Sequence, residues 1–393
     1  MSQYLPYGGF KWRNTYIDVR KIRDDARKGY ILEVDLEYPR ELHDLHKDVP
    51  LAPENRIPEN SKMPKLLNTL YDKERYVLHY VNLKQYLSLG MKLKKIHRVL
   101  EFDQSDWLKS YIDLNTNMRT KASNDFEKDF YKLMNNSVFG KTMENIRNRV
   151  DIRLCTSSMQ VDKLVAKPNF KDRTIFTDSL VAVHMHKTNL YFNKPIYVGM
   201  SILDLSKTLM YDFHYNLMKP KYGKNIELCY QDTDSYIYCI KTSDFYSDMK
   251  EMIDHFDTYD YKKDNPYGLP LVNKKIIGKM KDECIGKILE ELIGLKSKMY
   301  AINVEGDVKK IAKGVKNTVV RNEISFDDYK NCLFGKEVVY KSMNLIKSKK
   351  HELFSIELRK KALSPEDDKR YILKDGINTL PWGHYKIEKR ARL

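Results

Sequence analysis

Residues 226–240, IELCYQDTDSYIYCI, place two carboxylates one residue apart, Asp232 and Asp234, inside an apolar and aromatic run. No other stretch constrains the fold as tightly. The flanks, Leu228, Cys229 and Tyr230 before and Tyr236, Ile237, Tyr238 and Cys239 after, predict strand anchored in a core. If the segment is one strand, residues two apart point to the same face; if Asp-Thr-Asp is a hairpin turn, both carboxylates project from one tip. Either way they share a small volume, and at about 7 Å with an effective dielectric near 20 two like charges repel by roughly 2 kcal/mol. A cation between them removes that cost. A solvated D-x-D turn with no further role is the plainer alternative.

Around this run the chain reads as mixed α/β. From Gly29, GYILEVDLEYP predicts a short buried strand ended by Pro39, and the Pro-rich VPLAPENRIPENSKMPK that follows predicts a loop without regular structure. SNDFEKDFYKLMNNSVFGKTMENIRNR, Ser123 to Arg149, predicts one long helix capped by Ser123 or Asn124, with acidic residues in its first turn. KPIYVGM predicts a strand, and SILDLSKTLMYDFHYNLMK a helix leading back to the 226–240 run. A strand, long helices and a strand-helix-strand series make an α/β fold. A chain of 393 residues suffices for two or three lobes, and no repeat, Gly/Ser linker or low-complexity tract marks where one ends.

In the long helix, Phe126, Phe130, Leu133 and Val138 fall on one side, while Lys128, Lys132, Asn136 and Phe139 recur on another at i, i+4, i+8 and i+11. The first face is expected to be core and the second displayed. Two cations, an amide and an aromatic ring can hold a phosphate chain, hydrogen-bond a sugar or base edge and stack a base. The alternative is an amphipathic helix with incidental surface lysines. Gly140 weighs against it, because glycine inside a helix costs about 1 kcal/mol relative to alanine and often marks close approach of another group.

The charge balance narrows the partner. Seventy Lys and Arg against 54 Asp and Glu give +16, spread along the whole length, which favours a polyanion, most simply nucleic acid. No run approaches membrane-spanning length and MSQYLPYGGF lacks a signal-peptide core, so a soluble intracellular protein without a membrane partner is expected. The five cysteines, Cys155, Cys229, Cys239, Cys284 and Cys332, form no C-x-x-C pair, which argues against a zinc site and predicts reduced, mostly buried thiols. His43 with His46 and His184 with His186 have spacings seen in metal sites, but no further ligands accompany them.

Two of these stretches carry a family resemblance. YQDTDS at 230–235 has the form Y-x-D-T-D-S and KLMNNSVFG at 132–140 the form K-x-x-x-N-S-x-Y/F-G; in this order they resemble motifs C and B of family B DNA polymerases. KSKMY at 296–300 matches the K-x-K-x-Y pattern of the protein-primed branch, and YGGFKW at 7–12 resembles its Y-x-G-G segment, displaced by one with Pro6 at the tyrosine position. Motif A of the family reads D-x-x-S-L-Y-P, whereas EVDLEYP at 33–39 sets Tyr38 and Pro39 three and four residues after Asp35. Aligned on Tyr-Pro without a gap, Glu33 takes the aspartate position. Both acids lie on one strand face, and the shorter carboxylate, the family's residue, favours Asp35. Phe139 in place of Tyr keeps the ring and loses a hydroxyl. Reading VDLE as the D-x-E of a proofreading exonuclease leaves only 97 residues between Asp35 and Lys132, too few for that lobe plus the start of a palm. No proofreading activity is therefore expected of this chain.

The resemblance implies a right-hand fold with an antiparallel palm sheet, helical fingers and a small thumb. It divides the chain into an N-terminal palm part with motif A (1–55), a palm or insertion region resembling a terminal-protein region (56–115), fingers (116–150), an insertion (151–190), a C-terminal palm part with motif C and K-x-K-x-Y (191–300), and a thumb with the C-terminal segment (301–393). It implies templated addition of deoxynucleotides to a primer with two Mg²⁺ ions, Mn²⁺ being able to substitute. It places Asp35, Leu36, Asp232 and Asp234 at the metal site, with the three aspartates catalytic. Lys132, Lys128, Asn136, Phe139 and Tyr38, helped by Lys121, would bind the nucleotide, Tyr38 as the gate against ribose. Lys296, Lys298, Tyr300, Ser137, Gly140, Gly8 and Gly9 would contact DNA. The implied partners are a DNA primer-template, dNTPs and a terminal protein primer. DDKRYILKDGINTLPWGHYKI at 367–387 looks similar to the ends of polymerases of Polinton-type mobile elements. A catalytically silent, nucleic-acid-binding remnant of such a polymerase is the competing expectation; reverse transcriptases and viral RNA polymerases, which typically carry Y-x-D-D, fit less well.

Overall fold

The computed structural model describes residues 1–59, 61–349 and 351–387. Four strands, β1 (Leu5–Arg13), β2 (Lys28–Glu37), β3 (Lys73–His79) and β4 (Lys92–Ser105), make one antiparallel sheet in the order β1-β4-β2-β3. β2 alternates as a strand buried on one face must: Leu32, Val34 and Leu36 are buried while Glu33, Asp35 and Glu37 occupy the alternate positions. Helix α1 (Tyr80–Ser88) adds Tyr80, Leu83 and Tyr86 to the same core, which Val49, Leu51, Val99, Tyr211 and Tyr215 complete. Each leucine so buried contributes about 2 kcal/mol.

The Pro-rich stretch is not the unstructured loop expected. Glu54–Arg56 pairs with Lys65–Leu67, and Val49, Leu51 and Ala52 are fully buried. Pro50, Pro53, Pro58 and Pro64 flank the paired residues rather than entering them, so no ladder N–H is lost.

The chain divides into two compact units, one of residues 1–135, 201–341 and 360–393, the other of 136–200 and 342–359. In the first, α2 (Lys109–Lys121) precedes α3 (Asp125–Thr142), whose last turns belong to the second. Asn124 caps α3 by accepting from Glu127 N–H at 2.9 Å, as its position suggested. The helix stops at Thr142 rather than Arg149, because Asn145 accepts from Arg147 N–H and starts a separate turn, Ile146–Asn148. The core face expected on α3 is not core: Phe126 is 79% exposed, Leu133 63% and Phe130 44%. Apolar spacing shows which side of a helix seeks cover, but no described segment buries these residues.

The second unit holds a three-stranded antiparallel sheet of β5 (Asp151–Cys155), β6 (Phe170–Thr177) and β7 (Leu180–Met185), with β7 in the middle. Helix α4 (Ser158–Val165) joins its core through Val161, against Cys155, Val183 and Met185.

KPIYVGM, expected as a strand, lies at the start of helix α5 (Ile196–Asp212). Pro195 stands just before the first turn, and Val198, Ser201, Asp204 and Tyr211 are buried at three- and four-residue steps and their multiples. Helical periodicity overrides the β-branched residues. A π-turn, Phe213–Met218, continues α5 into the hairpin of β8 (Ile226–Asp232) and β9 (Ser235–Ile240). A second hairpin, β10 (Leu289–Lys296) and β11 (Met299–Val304), is extended by β12 (Asp307–Ala312) into a three-stranded sheet. A long ribbon, β13 (Val339–Lys349) and β14 (Glu352–Leu363), follows.

The five cysteines are free, but they are not mostly buried: Cys155 and Cys332 are, Cys284 is intermediate, and Cys229 and Cys239 on the β8–β9 hairpin are exposed. Among the described residues no helix is long and apolar enough to cross a membrane.

Candidate active site

The β8–β9 hairpin closes through Thr233 and Asp234, with Asp232 paired to Ser235 and Asp234 N–H donating to Asp232 O at 2.7 Å. Thr233 takes φ +54°, so tight a turn that a β-branched residue sits in the left-handed region. Of the two geometries open to the sequence, the structure adopts the turn, and both carboxylates project from its tip.

Their repulsion is relieved from a neighbouring turn. Lys298, at φ +59° between β10 and β11, extends its ammonium to Asp232 Oδ2 at 2.6 Å, while its N–H donates to the Tyr230 hydroxyl at 2.9 Å. Tyr300 packs on Tyr230 with ring centroids 4.5 Å apart. The residues of Y-x-D-T-D-S and K-x-K-x-Y thus form one cluster. The Asp232 carboxylate raises the pKa of the Lys298 ammonium, chiefly through their hydrogen bond. Asp234 is exposed, and its carboxylate makes no hydrogen bond or ion pair among the described residues. Lys296 ends β10, partly exposed.

The hairpin and β2 share a core: Leu228 and Tyr236 pack against the cluster containing Leu32, Val34, Leu36 and Tyr38. On the opposite face of β2 the two motif A candidates have different surroundings. Glu33 is 7% exposed and clamped by Arg98 and Arg75, the latter at 3.2 Å, so its pKa is lowered, chiefly by the Arg98 hydrogen bond. Asp35 accepts Arg75 N–H at 2.8 Å on one oxygen and has His97 Nε2 2.8 Å from the other, and these bonds lower its pKa, the backbone one most. Only Asp35 is held without a fixed positive charge on its carboxylate. No local pattern pointed to Arg75 or His97; the run KKIHR at 94–98, basic residues on the strand paired with β2, is the available hint.

Leu36 is buried, so only its main chain is available to a ligand. Tyr38 is buried too, its hydroxyl taken by His46 Nδ1 at 2.8 Å and Leu51 N–H at 3.1 Å. His43 accepts from Tyr385 N–H at 3.2 Å, and no group of three or more His, Cys, Asp or Glu able to hold a metal occurs among the described residues. The expected magnesium therefore meets hard oxygen donors, one of them the unengaged Asp234 carboxylate, but not three acids already gathered. The donor chemistry fits; the gathering is not present in this conformation.

On α3, Lys128 forms an i,i+3 pair with Asp125 at 3.0 Å, while Lys132 is exposed and unpaired among the described residues. Asn136, Ser137 and Gly140 are exposed, Phe139 is partly so, and a Cβ at Gly140 would meet nothing within 4 Å, so no group of the chain itself approaches that glycine closely. Gly8 and Gly9 sit at bulges where β1 pairs with β4. Gly9 has φ +65°, the left-handed region that favours glycine, and a Cβ there would displace the Asp103 carboxylate.

Residues 1–220 match the family described as DNA polymerase type B, organellar and viral, a span that includes β2 and the α3 motif and ends before Asp232. Solved structures of phi29 DNA polymerase have a similar fold. The orthorhombic crystal form is 15% identical at a TM-score of 0.53, and the post-translocation binary complex with primer-template DNA is 14% identical at 0.52; each match covers 92% of this chain and 55% of that one. This chain spans little more than half the length of the polymerases it resembles. No curated protein matches the sequence. The fold is that of a right-hand polymerase, with mixed helices and antiparallel sheets. The chain belongs to the organellar and viral type B DNA polymerases.

Proposed function

We propose that this chain is a DNA-directed DNA polymerase adding deoxynucleotides to a primer 3′-hydroxyl, in protein-primed replication of a mobile element, virus or linear plasmid. The observation that carries the reading is the junction of two turns, in which Lys298 neutralises Asp232 and leaves Asp234 free beside it. In this reading Asp35, Asp234 and Asp232, with the Leu36 main chain, hold magnesium. Bound there, two ions would acidify the primer hydroxyl and offset the charge of the leaving pyrophosphate.

The chain's own groups position the reactants. Lys132, with Lys128 and Lys121, neutralises the triphosphate; Asn136 and Phe139 bound the nascent base pair; Tyr38 is the gate against ribose. Lys298 and Lys296 supply positive charge at the primer strand and Tyr300 a polar contact, while Ser137, Gly140, Gly8 and Gly9 let backbone approach DNA. The palm, fingers and thumb divisions at 1–55, 56–115, 116–150, 151–190, 191–300 and 301–393 belong to the same proposal.

Phi29 DNA polymerase has been solved with primer-template DNA and incoming nucleotides, which supports DNA and dNTPs as the partners here. The experiment is primer extension with magnesium. Wild-type protein is expected to extend the primer and Asp234→Asn to lose at least 10³-fold in rate, about 4 kcal/mol of transition-state stabilisation. Equal extension by both would refute the assignment. A second reading, the silent nucleic-acid-binding remnant, draws on the dispersed acids and on Glu33 being locked by two arginines. It predicts salt-sensitive DNA binding with no extension by the wild type.

A further inference from the structure

Cys229 and Cys239 share the outer face of the β8–β9 hairpin. Leu228 and Tyr236 pack on the core beneath β2 and Tyr238 on the cluster of Met218 and Tyr222, while Glu227, Cys229 and Cys239 are exposed. The ladder pairs Glu227 with Cys239 and Leu228 with Tyr238, then passes over Cys229 and resumes with Tyr230 opposite Ile237. Cys229 is therefore the extra residue of a β-bulge. In an unbroken ladder, diagonal positions two residues apart stand about 7–8 Å from each other, too far for a disulfide without backbone movement. The bulge fits the step from Leu228 to Tyr230 into one rung, so the offset along the strand falls from two residues to about one and a half, roughly 5 Å. The side chain shortens the gap further. Cys229 Sγ lies 4.0 Å from Glu227 O, folded back along the strand toward the rung that Cys239 occupies. The two groups sense each other: partial burial pushes the Cys229 thiol up, the Cys239 charge adds to this, and the Cys239 N–H opposes it.

A soft metal ion would need more ligands than two thiols, and among the described residues no group of three or more His, Cys, Asp or Glu able to hold one occurs. Two accessible thiols at the edge of bonding reach fit each other better. We propose that Cys229 and Cys239 are a modification site that closes to a reversible cross-strand disulfide by exchange with a small disulfide such as oxidised glutathione. One cysteine thiolate attacks a sulfur of the small disulfide and expels its first thiolate; the other attacks the protein sulfur of the mixed disulfide and expels the second. The cysteines lose two electrons and two protons, which leave on the two small thiols. At the long end of disulfide reach the bond is strained and readily reduced, the property of a regulatory disulfide rather than a structural one. It ties the hairpin three residues before Asp232 and five after Asp234, and so stiffens the turn that carries both carboxylates. The site does not depend on the polymerase reading.

The test incubates the full chain with oxidised glutathione, blocks remaining thiols with an alkylating agent, digests with trypsin without reduction and reads peptide masses. Lys224 and Lys241 bound a single tryptic peptide, residues 225–241, that contains both cysteines. In most molecules this peptide should escape alkylation and become two hydrogens lighter, and dithiothreitol should reverse the change. In Cys229→Ser, and separately in Cys239→Ser, the remaining cysteine should instead carry glutathione, at a level at least tenfold above that of the same cysteine in the wild type. Amide exchange across residues 230–238 should slow at least tenfold on oxidation of the wild type and in neither variant. Circular dichroism melts verify folding of both variants. The proposal fails if the peptide keeps its reduced mass, if it gains only glutathione on both cysteines, if it appears cross-linked between chains, or if exchange across the turn is the same before and after oxidation. Primer extension plays no part in the readout, so loss of the polymerase reading would not affect it.

Discussion

Tyr38 and the buried His46 form one hydrogen-bonded pair. The hydroxyl oxygen accepts from Leu51 N–H and shares a 2.8 Å hydrogen bond with His46 Nδ1, in which the imidazole tautomer sets which atom donates. His214 Nδ1 stands in the same relation to the Tyr238 hydroxyl at 2.9 Å, and His214 stacks on that ring. Burial pushes both imidazoles down to about 4, with the His214 charge contributing further at His46. For a base with a depressed pKa the unfolded chain takes up the proton first. The stability these histidines give is complete above their ordinary value of 6.5 and is lost as pH falls through about 4. The melting temperature is therefore expected to drop steeply between pH 6.5 and 4. His46→Phe should cost about 1 kcal/mol at pH 7, for the lost hydrogen bond, yet show a shallower fall in that window. Identical slopes for variant and wild type would place the pH dependence elsewhere.

At the scale of elements, α3 separates what a sequence reveals from what it does not. Its existence, its Asn124 cap and its displayed row of Lys132, Asn136 and Phe139 follow from spacing, because helical periodicity and capping are local physics. Whether Phe126, Phe130 and Leu133 are covered depends on where distant segments go, and they are left exposed. Phe126→Ser and Leu133→Ser are accordingly expected to change unfolding free energy by no more than about 0.5 kcal/mol each, measured by urea denaturation. A loss of 2 kcal/mol or more would mean that these side chains are covered in solution. The Asp-Thr-Asp run had the opposite character. Its flanks dictated paired strands, and the turn followed. The partner that relieves it, Lys298, lies 66 residues along the chain, and no local pattern links the two. The motif A strand was equally legible, but the different surroundings of Glu33 and Asp35 come from Arg75, His97 and Arg98 on neighbouring strands.

Across the whole molecule, the last part of the chain returns to the segment that follows motif A. Arg370 donates to Lys47 O at 3.0 Å, Leu70 N–H donates to Trp382 O at 2.8 Å, and Lys65 pairs with Asp368. His43 receives Tyr385 N–H, and Asp44 bonds both Tyr385 and Lys386, which hold its carboxyl down to about 2, the Lys386 hydrogen bond most. These contacts gather residues 43–72, whose buried Val49, Leu51 and Leu70 belong to the core beneath β2. The C-terminal segment is then a brace for the strand that carries Asp35. Trp382 is buried, and removing a buried tryptophan costs about 3–5 kcal/mol when the site cannot collapse. In Trp382→Ala, and separately in Arg370→Leu, amide hydrogen exchange between residues 43 and 72 should accelerate at least tenfold, Leu70 included, while protection of the 151–185 sheet stays unchanged. If exchange accelerates uniformly, the segment stabilises the whole fold rather than bracing one part. If it does not accelerate at all, the contacts hold only the tail, and the strand carrying Asp35 is fixed by its own core.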